Sequence, residues 1–166
     1  MIDFFANSGA NATGTIIGGL LLTIILFLFN EVIFPKKNII GEWKVLITIL
    51  ESTHEPFKDL QIEYIFHFLQ KNNDIVGLGE KIKDMRPNEK PFEFVRSKRV
   101  RQEIEGYMER KFLTKPHVYL LIKEMGRVRI STTSYNLVFN KKSNIMTGVF
   151  ESTAGDTKGT VVLHKK

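Results

Sequence analysis

The chain has 166 residues, 43% of them hydrophobic and 25% charged, with a formal net charge of +6, no cysteine and a mean hydropathy of -0.09. That length holds one folded domain and an appended segment, which excludes a large multidomain enzyme. The missing cysteines exclude a disulfide framework, thiol chemistry and cysteine-ligated zinc.

The averages conceal two unlike halves. All 24 Lys and Arg lie at or beyond Lys36, and residues 4–30 carry no charge. Residues 15–34 read TIIGGLLLTIILFLFNEVIF, with 14 of 20 aliphatic or aromatic and Glu31 the sole charge. At about 1.5 Å per residue, roughly 20 helical residues cross a hydrocarbon core of about 30 Å, so this stretch predicts a transmembrane helix. A cleaved signal peptide fits poorly, because its basic n-region is missing. An amphipathic soluble helix fits poorly too, because no polar face runs from Ile16 to Phe29. Pro35 ends the pattern, and Lys36, Lys37 and Lys44 follow with no basic residue before the span, which predicts a single pass with the C-terminal part cytoplasmic. Gly14 and Gly18 form a GxxxG unit through which two such helices could pack closely, giving a homo-oligomer. The expected organisation is a tail and transmembrane helix over 1–34, a linker over 35–40 and a cytoplasmic domain over 41–166.

Residues 35–166 carry 24 basic and 16 acidic side chains, a balance of +8. Their hydrophobic period is two. Trp43, Val45, Ile47 and Ile49 alternate along 41–50, and Ile62, Tyr64, Phe66 and Phe68 along 59–70. After the turn at 71–74, Val76, Leu78 and Ile82 are the expected inward set of the next strand. Prolines interrupt 84–91, where a short helix could sit, and a basic run over 96–101 leads into a strand reaching Phe112 with Val100, Ile104, Met108 and Phe112 inward. Strand-like runs over 117–125, 127–139, 144–152 and 158–164 bring the total to eight. Eight antiparallel strands on hairpin-sized turns predict an all-β, up-and-down β-barrel behind one N-terminal helix, with a β-sandwich as the alternative.

Catalytic motifs are absent from the sequence: no nucleophile elbow, no second histidine after His54-Glu55, and four scattered histidines. No enzyme activity, cofactor or metal site is expected. The signature elements of long nucleic-acid binders are missing as well. The basic excess suits an anionic membrane surface or an anionic ligand. Glu80, Gln102, Arg110 and Glu124 fall at inward or rim positions, where a buried charge costs several kcal/mol unless paired, so they either form a structural pair or line a wet mouth. Tyr64, Gln102, Arg110, Arg127 and Arg129 are the candidate ligand residues; Tyr64, with Tyr107 and Tyr135, has a ring on which a nucleobase could stack.

A single span, a short basic linker and Gly41-Glu42-Trp43 opening an eight-stranded barrel resemble the transmembrane β-barrel effectors of bacterial CBASS antiphage systems, with a calycin- or lipocalin-like barrel. The resemblance covers nearly the whole chain at the level of architecture. It implies that the barrel binds a cyclic dinucleotide, that copies assemble through span and barrel, and that the inner membrane is then disrupted and the infected cell killed. Family members often have two spans where one is read here. The alternative from another class is a membrane-tethered calycin-like binder of a lipid or other apolar small molecule, which predicts a dry cavity.

Overall fold

The computed structural model describes residues 14–28, 38–95, 99–109, 114–125 and 130–166. The chain divides into two compact units, 1–37 and 38–166.

In the first unit, residues 14–28 form an α-helix (α1), in which the Thr23 hydroxyl donates to the Gly19 carbonyl at 2.8 Å. Among the described residues no helix is long and apolar enough to cross a membrane. The span expected over 15–34 runs on into residues 29–34, which lie outside the described ones.

The second unit contains β1 (Gly41–Glu51), β2 (Gln61–Lys71), β3 (Asp74–Met85), a two-residue β4 (Phe92–Glu93), β5 (Arg101–Glu109), β6 (His117–Met125), β7 (Ile130–Asn140), β8 (Ile145–Ser152) and β9 (Thr157–Lys165). All pairings are antiparallel, and apart from β4, which flanks the end of β3, each strand pairs with its neighbours in sequence. The first and last strands close the ring, with Val45 opposite Leu163 and Ile47 opposite Val161. The result is an eight-stranded up-and-down barrel. The β1–β9 pairing excludes a sandwich, since closure consumes both free edges.

Turn chemistry holds the hairpins. Asn72 (φ 57°), Asn144 (φ 53°) and Asp156 (φ 45°) adopt the left-handed conformation at three of the tight turns. Asn and Asp tolerate that region better than other non-glycine residues because their short side chains bond locally.

The inner face is apolar over most of its length. Trp43, Val45, Ile47 and Ile49 of β1 and Ile62, Tyr64, Phe66 and Phe68 of β2 are buried, as their alternation predicts, and Ile104 and Met108 of β5 join them. One end is stoppered. Trp43 packs against Phe68 and Phe139 at ring-centroid separations of 6.3 and 6.0 Å, and its indole N–H donates to the Ile39 carbonyl at 2.8 Å.

Strand β3 departs from the expected parity. Val76 and Leu78 face outward, 53% and 63% exposed, and the inward positions are Ile75, Gly77 and Gly79. Hydrophobicity misleads here because Phe66 and Phe68 stand opposite Gly79 and Gly77 and fill the space that side chains on β3 would need. Glu80, expected inward or at the rim, lies on the outer wall, paired with Arg99 at 2.8 Å. The segment 84–95 holds turns and β4, with no helix among its residues.

Candidate functional site

The end of the barrel opposite Trp43 is built differently. β1 and β2 contribute Ile47, Ile49, Ile62 and Tyr64 to a cavity of about 190 Å³, β3 contributes Lys81 and Asp84, and β6 and β7 contribute Glu124, Ser131, Thr133 and Tyr135. Phe57, from the short 3-10 turn Glu55–Phe57, leans over it from the β1–β2 connection.

A register shift aims the β3 groups. Glu63 pairs with Lys83 and Tyr64 with Lys81, so Ile82 is an extra residue on β3. A bulge of this kind resets the alternation. Lys81 and Asp84, three apart, therefore both reach the cavity, and they form an ion pair at 2.9 Å. Asp84 Oδ2 is engaged in that pair, whereas its Oδ1 is buried with no hydrogen-bond donor among the described residues.

Beneath the cavity lies Gln102, 4% exposed, on β5 between Gly79 of β3 and Glu124 of β6. Its amide N–H donates to Glu124 Oε2 at 2.6 Å, and its Oε1 is buried and unpartnered among the described residues. The carboxylate can only accept, so it fixes which end of the amide faces it. Gly79 makes the arrangement possible: a Cβ there would stand 2.8 Å from Gln102 Oε1 and 2.9 Å from the Phe66 ring.

Two tyrosines complete the wall. Burial pushes the Tyr64 phenol well above its ordinary value, and nearby Tyr135, Glu124 and Asp84 push the same way against the neighbouring Gln102 amide. Burial raises Tyr135 strongly too, with Glu124 adding to it. Both stay neutral donor-acceptor groups at physiological pH. Tyr135 lies edge-on to Phe66 at 6.3 Å and tilted against Phe150 at 6.0 Å, which fixes the ring's position.

The mouth has one ordered rim. Thr53 N–H, Thr53 Oγ1 and Ser52 Oγ all donate to the Gly155 carbonyl at 2.9 to 3.1 Å, tying the β1–β2 connection to the β8–β9 turn. Gly155, at φ +68°, is also where a Cβ would strike Phe57 at 2.9 Å, so both the backbone and the packing require glycine.

The expected ligand residues divide accordingly. The structure brings Tyr64 and Gln102 together inside the barrel, and Glu124 beside them. Arg110, Arg127 and Arg129 lie outside the described residues. Tyr107 faces outward and stacks on Tyr119 at 5.0 Å, away from the interior. Gly14 and Gly18 lie on α1, where an added Cβ meets nothing within 4 Å. Sequence reasoning missed Lys81 because the hydrophobic Val76 and Leu78 suggested the opposite face of β3, and it missed that Lys81 and Asp84 share a face because a strict period of two, without the bulge at Ile82, separates them. Among the described residues no group of three or more His, Cys, Asp or Glu is placed to hold a metal ion.

No protein family, curated protein or solved structure matches the chain.

Proposed function

We propose that the chain is a membrane-anchored effector of CBASS-type antiphage defence. Its barrel senses a cyclic dinucleotide at the open mouth, and its N-terminal spans assemble in the inner membrane and disrupt it, killing the infected cell. In this reading the barrel is cytoplasmic, the helix crosses the membrane once, and the protein is a ligand-gated binder and not an enzyme.

The observation that supports this reading is a barrel stoppered at Trp43 and open at a polar cavity, with a charged pair and neutral tyrosines around an apolar floor. A structural barrel fills its interior with apolar side chains. Small-molecule sites instead combine an apolar lining with a few placed polar groups, as here. The mouth also argues against the lipid-binding alternative: Lys81, Asp84 and Glu124 on the wall make apolar contents costly, since they would strip water from these groups without replacing its hydrogen bonds.

The test is dye release. The full chain is reconstituted into liposomes carrying an encapsulated fluorophore and exposed to cyclic dinucleotides or to fatty acids. Release on adding a cyclic dinucleotide, and none with fatty acids, is expected; failure of every cyclic dinucleotide to release dye overturns the reading. Gly14→Leu with Gly18→Leu should weaken release. A Cβ at either position is unobstructed in one copy, so a loss would report contacts between helices.

A further inference from the structure

The mouth also constrains which part of a ligand enters it, and in what chemical form; this step rests on the nucleotide reading above. Its volume of about 190 Å³ falls below the roughly 300 Å³ at which pockets begin to enclose a whole drug-sized molecule. It holds a ring system, and the remainder of a larger ligand stays outside.

Charge decides which part goes in. The cavity walls carry two cations, Lys81 and Arg86, and two carboxylates, Asp84 and Glu124. Lys81 is engaged with Asp84 at 2.9 Å, and Arg86 lies 3.7 Å from Glu89. No net positive charge is left inside to hold a phosphate, and a phosphate would meet Glu124. A second depression beside the mouth, bordered by Asp84, Arg86, Glu89, Lys90 and Phe92, is equally balanced in charge, so the phosphates of a larger ligand stay toward solvent.

The interior instead leaves carboxylate acceptors to be satisfied. Asp84 Oδ1 is buried with no hydrogen-bond donor among the described residues, a state that an incoming donor relieves. Glu124 keeps acceptor capacity beyond its bond from Gln102, because a carboxylate has about four lone-pair sites. Tyr64 and Tyr135, neutral and facing the cavity from opposite sides of the barrel, can donate to a carbonyl. A planar edge with two adjacent N–H donors beside a carbonyl matches this set, and among the common nucleobases that is the Watson–Crick edge of guanine. Adenine and cytosine would turn a ring-nitrogen acceptor toward the carboxylates, and uracil has one N–H between two carbonyls.

We infer that the barrel mouth is a guanine-selective base pocket, with Asp84 and Glu124 accepting from the base and Gln102 positioning Glu124, while the phosphates remain outside the cavity.

The test measures affinity of the full chain in detergent micelles for cyclic di-GMP, cyclic di-AMP, cyclic di-UMP and guanosine. Cyclic di-GMP should bind at least about tenfold tighter than the other two dinucleotides, the ratio that one lost hydrogen bond of about 1.4 kcal/mol produces. Asp84→Asn, which keeps the shape but turns an acceptor into a donor, should remove that preference while leaving the folded far-ultraviolet spectrum intact. Glu124→Gln should do the same if Asp84→Asn fails to fold. Equal binding of all three dinucleotides, or a preference for adenine or uracil, overturns the base assignment and leaves the nucleotide reading standing. Guanosine binding without any dinucleotide binding supports the pocket and removes the effector reading. No binding by any of the four overturns both.

Discussion

Gln102 Nε2 donates to Glu124 Oε2 at 2.6 Å from one strand to the next, inside a barrel whose interior is otherwise largely apolar. The bond joins the polar mouth to the core beneath it, and its energetics are separable by mutation. Gln102→Leu should destabilise the protein by about 1–3 kcal/mol in chemical denaturation, because Glu124 loses its buried donor. Adding Glu124→Leu should recover part of that loss, since replacing both partners by apolar groups removes the desolvation penalty. A double-mutant cycle reads the coupling, and strictly additive losses would contradict it.

Gly79→Ala is expected to cost about 1–3 kcal/mol, the usual range for overpacking a filled core. The new methyl would fall 2.8 Å from Gln102 Oε1 and 2.9 Å from Phe66. Thermal unfolding followed by circular dichroism checks it.

Buried tyrosines make stability depend on alkaline pH. The folded protein holds Tyr64 and Tyr135 neutral beyond the ordinary phenol value of about 10, whereas the unfolded chain ionises them there. Their contribution is complete below about pH 10 and is lost as pH rises above it. The melting temperature should therefore fall more steeply between pH 9.5 and pH 11, both about the unperturbed value, in the wild type than in the Tyr64→Phe, Tyr135→Phe double variant.

Trp43→Ala should destabilise by about 3–5 kcal/mol, as expected for emptying a large buried ring site. Trp43→Phe keeps most of the packing with Phe68 and Phe139 but leaves the Ile39 carbonyl without its donor, and should cost about 1–3 kcal/mol. Trp43 is the sole tryptophan, so circular dichroism is the probe for both variants, and its fluorescence reports on the stoppered end of the wild type.

The two faces of β3 give opposite responses. Ile75→Ala, at a position 1% exposed, should cost about 2–5 kcal/mol. Leu78→Ser, on the outer wall, should stay within about 0.5 kcal/mol of wild type. A large loss at Leu78 in urea denaturation would restore the alternation that hydrophobicity suggested.

Much of the barrel is legible in the linear pattern. The alternation Trp43, Val45, Ile47, Ile49 and its counterpart Ile62, Tyr64, Phe66, Phe68 follows from a strand with one wet face, and the Asn and Asp turns separate the hairpins. The inward placement of Gln102 and Glu124 follows by counting along β5 and β6, because no irregularity intervenes. Where a local pattern has a single physical cause, side-chain alternation or a left-handed turn, the sequence carries it. β3 is different. Two of its inward residues, Gly77 and Gly79, are glycines because rings on the neighbouring strand occupy their space, Lys81 continues that inward set, and Asp84 joins it because one extra residue at Ile82 resets the count. Both facts depend on the partner strand. Only the closed tertiary structure therefore decided that Lys81, Asp84 and Glu124 share one mouth with Tyr64 and Tyr135, since cross-strand register, which no single strand encodes, brings them together.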